Sequence, residues 1–167
     1  MKRFISRLFL ALVAPALASG CTSYELAAPA SPTSPFAAPP ADRAQICVVR
    51  SSVMAQAVTF PVHDGEMLVG ATRGPGHFCY FAAPGRHTIA IEADEIERAV
   101  LIAEPGGRYY LKQEVDNLFG YVKCRAIWVT EPVAHELFDD SPPGVLVGVP
   151  GSERLPGEVP FAPASRL

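Results

Sequence analysis

From residue 43 to residue 141 apolar and polar side chains alternate, and turn-forming clusters interrupt the alternation about every 8 to 12 residues. In an extended chain neighbouring side chains point to opposite faces, so each run can bury one face and wet the other. A helix needs a 3.6-residue period and cannot use this pattern. The fold class that follows is all-β, an antiparallel β-sandwich of about eight strands. The runs fall at residues 45–51, 57–63, 66–72, 77–82, 86–92, 96–103, 108–116 and 121–130, and a short C-terminal helix is expected at 132–138.

Three turns set registers. A two-residue type I′ turn at Asp64-Gly65 would pair Val62 with Met67 and Phe60 with Val69. A hairpin closed by Glu104-Pro105-Gly106-Gly107 would pair Ile102 with Tyr109 and Val100 with Leu111. Closing the last hairpin over Asn117 to Gly120 would set Val115 against Val122, Tyr109 against Trp128, and Glu114 against Lys123. That places Tyr109 and Trp128 in the core and leaves Tyr110 on the outer face as a weak surface candidate.

The N-terminus reads as an address. Lys2, Arg3 and Arg7 precede an apolar run from Leu8 to Ala18, followed by small residues up to Gly20 and then Cys21; this is the tripartite layout of a secretory signal peptide. As a helix the run spans roughly 16 Å, too short for a hydrocarbon core of about 30 Å. The ending Leu17-Ala18-Ser19-Gly20-Cys21 resembles the lipobox of bacterial lipoproteins, with Ala18 where Leu is commoner. Residues 1–20 are then a removed signal peptide, and Cys21 is the lipidation site. Thr22, rather than Asp, follows it and favours the outer membrane facing the periplasm over the inner membrane. Residues 21–42 carry Pro29, Pro32, Pro35, Pro39 and Pro40 among Ala and Ser and read as a semi-rigid linker that could hold the domain up to roughly 65 Å from the bilayer. The β domain occupies 43–141, and the Pro-rich tail 142–167 reads as mostly disordered.

Between linker and tail the chain resembles a family of small bacterial lipoproteins that share a compact β domain of unknown function. The resemblance covers residues 44 to about 138 and rests on Val48-Val49-Arg50, Asp64-Gly65 with Val69-Gly70, Pro84-Gly85-Arg86-His87-Thr88-Ile89, and Gly106-Gly107-Arg108-Tyr109-Tyr110 leading to Gln113. It implies a β-sandwich and a lipid anchor, and it supplies no catalytic residue. The long tail and the three core cysteines depart from the family's pattern.

The remaining candidates for chemistry are sparse. His77 and Cys79 share a strand face, and a metal site would need His63, His87 or His135 to converge on them. His87 follows Pro84-Gly85 and reads as part of a turn covering a strand end. The three-glycine segment Gly70–Gly76 with Arg73 lacks the Lys-Ser/Thr ending of a phosphate cradle and reads as a flexible loop. Glu92, Asp94, Glu95 and Glu97 form an acidic bend without calcium-loop spacing, a charged tip that discourages edge association. With Cys21 lipidated, Cys47, Cys79 and Cys124 remain, and three thiols allow at most one disulfide and leave at least one thiol, expected to be buried with a packing role.

Removing residues 1–20 deletes three cations and no acid, so a net charge of −3 becomes −6. Such a chain is a poor electrostatic partner for nucleic acid. The expected function is that of a cell-envelope lipoprotein, held to the membrane by acyl chains on Cys21 and acting as a non-enzymatic binding or structural module without a cofactor. Its partner would be an envelope protein or the cell wall. The alternative is a thiol-redox or other envelope enzyme using Cys47, Cys79 or Cys124 with His77 or His87.

Overall fold

The computed structural model describes residues 23–150 and 160–164; the expected signal peptide, residues 1–20, and Cys21 lie outside the described residues. The strands are β1 (Glu25–Ala27), β2 (Ala44–Arg50), β3 (Thr59–Asp64), β4 (Met67–Arg73), β5 (Gly76–Ala82), β6 (Gly85–Glu92), β7 (Ile96–Ala103), β8 (Arg108–Leu118), β9 (Tyr121–Val129), β10 (Val145–Gly148) and β11 (Phe161–Ala162). One helix, α1 (Glu131–Asp139), follows β9. The eight expected runs are β2 to β9, displaced by at most two residues at either end.

Two sheets face each other, one ordered β11-β5-β2-β8-β9 and the other β4-β3-β6-β7, with β1 and β10 forming a separate two-stranded ribbon. The chain alternates between the sheets, placing β2, β5 and β8–β9 in one and β3–β4 and β6–β7 in the other. Most pairings are antiparallel, but β2–β8 and β11–β5 run parallel. The inner faces supply the main core, including Ile46, Val48, Phe60, Val62, Tyr80, Ile89, Ile91 and Leu111. Gly70 is required there, because a Cβ would stand 2.4 Å from the Phe78 ring.

Every residue of β2 is buried, although alternation alone predicts one wet face. Its outer face carries Cys47 and Val49, which pack under Ala134 and Phe138 of α1 and beside Tyr110. Pro132 opens the helix where its missing N–H costs nothing, and the i, i+4 pair Ala134/Phe138 points one stripe at the sheet. Tyr110 is therefore buried rather than a surface aromatic. Phe36 closes this second core, stacked on His135 at 3.7 Å and packed edge-on to Phe138.

The flanks correct the expectation of a free linker and tail. Residues 34–36 lie on the sheet: the Gln45 amide donates to the Ser34 carbonyl, and the Arg108 guanidinium donates to the Phe36 carbonyl. From the supposed tail, β10 pairs with β1, and β11 adds to β5. Proline content was a poor guide because these segments need few ladder bonds and add only short edge pairings.

The registers also move. Asp64 joins the ladder opposite Met67, so Gly65 and Glu66 form the turn, and a bulge between Val62 and His63 restores the inward face. Gly65 has φ 60° and Glu66 does not have positive φ, the pattern of a type II′ turn rather than I′. The cause is the carboxylate of Asp64, which is drawn inside by partners described below. In the last hairpin Leu118 pairs with Tyr121, a shift of two that preserves both faces; Glu114 meets Arg125 instead of Lys123, and Trp128 opposes Leu111. Tyr109 still meets Trp128 edge-on, with ring centroids at 6.5 Å. The hairpin expected between Ile102 and Tyr109 does not form. Gly106 N–H donates to Arg43 and Gln45 N–H to Gly107, which draws the chain across to β2 in the opposite sheet. The expected Gly70–Gly76 loop is mostly strand, since Gly70 to Arg73 complete β4.

Candidate functional site

Cys47 and Cys79 stand directly opposite on β2 and β5, with Cα atoms 4.1 Å apart, and form a disulfide. Two strand faces meeting at one register position bring the thiols together, which no sequence spacing reveals. Cys124 is the remaining thiol. It is buried on the inner face of β9, and burial, against the opposing Arg50 charge, pushes its pKa up to about 12. At neutral pH it is a protonated packing residue, with no thiolate to attack a substrate.

His77 flanks the disulfide on the outer face, and its Nδ1 lies within hydrogen-bond distance of the Ser141 carbonyl. Burial lowers its pKa against that bond, so the ring is neutral and Nδ1–H is the donor. It borders a cleft of about 240 Å³ between the β1–β10 ribbon and the β4–β5 corner, together with Leu26, Ala71, Arg73 and Pro142. That volume is below the roughly 300–1,000 Å³ of ordinary small-molecule sites.

His87 makes the closest approach to a catalytic arrangement. Its Nδ1 is 2.7 Å from Asp64 Oδ2 and its Nε2 is 2.7 Å from the Ala83 carbonyl, while Tyr80 Oη donates to the same carboxylate at 3.2 Å. Two acceptors on one ring require two N–H donors, so His87 is an imidazolium. Burial opposes that charge, but the hydrogen bonds to Asp64 and Ala83 and the Asp64 charge outweigh it and raise the pKa. The ring is fully buried with both nitrogens engaged, which leaves it no lone pair to act as a base. It is thus an internal ion pair, not the strand-end cover expected from the turn beside it.

A second buried cation was missed. Arg50 is fully buried, and its guanidinium donates to the carbonyls of Met54, Ala55 and Val58 while lying 4.3 Å over the Phe60 ring. Three carbonyls in place of a carboxylate latch the loop 51–58 to the end of the sandwich. The available signal was parity, since Arg50 shares the inward face with Ile46 and Val48.

The other histidines stay apart. His63 pairs with Glu92 at 3.4 Å, and His135 lies under Phe36. Among the described residues no three His, Cys, Asp or Glu side chains converge as metal ligands. The acidic bend serves a different purpose: Asp94 accepts from the Val122 N–H at 2.6 Å, and Glu95 accepts from Tyr121 Oη and pairs with Lys123. With Trp128 Nε1 donating to the Val100 carbonyl at 3.1 Å, these contacts tie β7 to β9 and close one side of the sandwich.

The chain matches no protein-family model, no curated protein and no solved structure. The described residues include no helix long and apolar enough to cross a membrane.

Proposed function

We propose that this protein is a lipid-anchored lipoprotein of the bacterial cell envelope whose folded part is a non-enzymatic binding or structural module. The observation that carries this reading is the state of its reactive side chains. Two thiols are spent in a disulfide, the third is buried and protonated, and the buried His87 is saturated by Asp64 and Ala83. A disulfide also suits a chain exported to an oxidising compartment, as the N-terminal signal pattern requires. Residues 1–20 and Cys21 supply the anchor in this reading.

Growth with an alkyne-bearing fatty acid tests it. The wild-type chain should take up the label and begin at Cys21, whereas Cys21→Ala should remain an unlabelled precursor. Equal labelling of the two, or a mature wild-type chain starting elsewhere without acyl mass, contradicts the reading.

A further inference from the structure

The strand directions divide the sandwich into two ends. At one end lie the loop 51–58 after Arg50, the β4–β5 corner, the β6–β7 turn and the β8–β9 hairpin. Asp94 and Glu95 of the β6–β7 turn grip Val122 and Tyr121, which fixes the hairpin against its neighbour. This end is unusually apolar. Val53 and Met54 are exposed in the loop and Ile96 at the head of β7, and Leu118, Phe119 and Tyr121 are exposed on the hairpin.

Phe119 stands out among them. It is wholly exposed, so it contributes nothing to the core, yet it occupies a positive-φ position (51°) in the turn with Gly120. A bulky residue there is strained, and the turn favours Asn or Gly. The fold itself gives no return for that strain.

The first described strand reaches this same end, where Leu26 to Ala28 line the cleft at the β4–β5 corner. Cys21 precedes Leu26 by five positions, a reach of at most about 18 Å. An acyl anchor on Cys21 would therefore bring the bilayer to the apolar end. Two of the acids there lie beside cations, Glu95 with Lys123 and Asp116 with Arg125, which reduces their opposition to a neutral lipid surface.

We infer that Leu118 and Phe119 at the hairpin tip, with Val53 and Met54 of the loop at the same end of the sandwich, form a membrane-contacting face that inserts into the interfacial region of the bilayer. The inference rests on the lipid-anchor reading, which supplies the geometry of approach. Arg50 then has a functional consequence, because its three carbonyl bonds hold the Val53–Met54 loop in place.

The test uses the lipidated full chain in phosphatidylethanolamine and phosphatidylcholine vesicles, with or without brominated acyl chains. Phe119→Trp reports the tip, Val133→Trp on exposed α1 is the reference, and the wild type supplies the Trp128 background. Brominated lipid should reduce the emission gained by Phe119→Trp at least twofold and leave that of Val133→Trp unchanged. Equal emission in both vesicles overturns the inference, as does a concentration-dependent blue shift without bromine quenching, which would place a second copy on the face. The mass of the same sample separates the two readings. An acylated, unquenched protein defeats the membrane face alone, whereas a chain without acyl mass defeats the anchor and the inference with it.

Discussion

The imidazolium of His87 and the guanidinium of Arg50 are fully buried cations, and each persists because fixed acceptors surround it. Their responses differ. His87 has its folded pKa raised above an unfolded value of about 6.5, so its contribution is fully present below that pH and is lost as pH rises through the folded pKa. The melting-temperature gap between wild type and His87→Gln should therefore be widest below about pH 6.5 and shrink towards alkaline pH. A gap that stays constant or widens with pH would contradict the assignment. Arg50 remains charged across that range, and its loss should act at every pH. Arg50→Met removes three carbonyl contacts and should cost about 2–4 kcal/mol in urea denaturation, with faster amide exchange over residues 51–58. Unchanged exchange in that loop would show that the latch lies elsewhere. Parity with Ile46 and Val48 is the one sequence signal that Arg50 faces inward, and its partners are backbone carbonyls that carry no residue signature. Asp64 was harder to read, because Asp-Gly is also the commonest chemistry of an exposed turn.

At the scale of elements, alternation located β2 to β9, because one buried and one wet face leave a local imprint on sequence, but not the two-residue edge strand β11, which is too short to carry one. Pairing left a weaker one. The β8–β9 register moved by two, from a four-residue loop to the two-residue Phe119-Gly120 turn, and the faces survived because two is the period of a strand. The β7–β8 connection departs from its sequence expectation for another reason. Glu104 to Gly107 has good hairpin chemistry, yet the same glycines serve a crossover between sheets, and only the contacts to Arg43 and Gln45 decide between them. The hairpin turn also yields a prediction. Phe119→Asn relieves a strained position without removing any core contact and should raise stability by about 0.5–1 kcal/mol, read as a higher urea midpoint with unchanged slope. Destabilisation by this substitution would show that Phe119 supports the fold itself.

At the scale of the whole molecule, the largest departure from the sequence expectation concerns residues 21–42 and 142–167, whose composition is that of a linker and a tail. Phe36 completes the core under α1, β1 pairs with β10, and β11 extends a sheet, so material on both sides of 43–141 is built into one body. Composition concealed this. Proline-rich stretches resemble spacers whether they hang free or lie against a surface, and the difference resides in a few long-range contacts such as Gln45 with Ser34 and Arg108 with Phe36. The disulfide was legible only as a count: three thiols permit one bridge, and the topology chose Cys47 with Cys79. The functional consequence is a body seated close to its proposed anchor instead of one raised on a stalk. Neutron reflectometry of the lipidated protein on a supported bilayer measures that separation directly. The account predicts protein density beginning within about 18 Å of the headgroups, since five positions separate Cys21 from Leu26 in the folded body. A hydrated gap of several tens of ångströms, approaching the roughly 65 Å that an extended 21–42 segment would span, would contradict it.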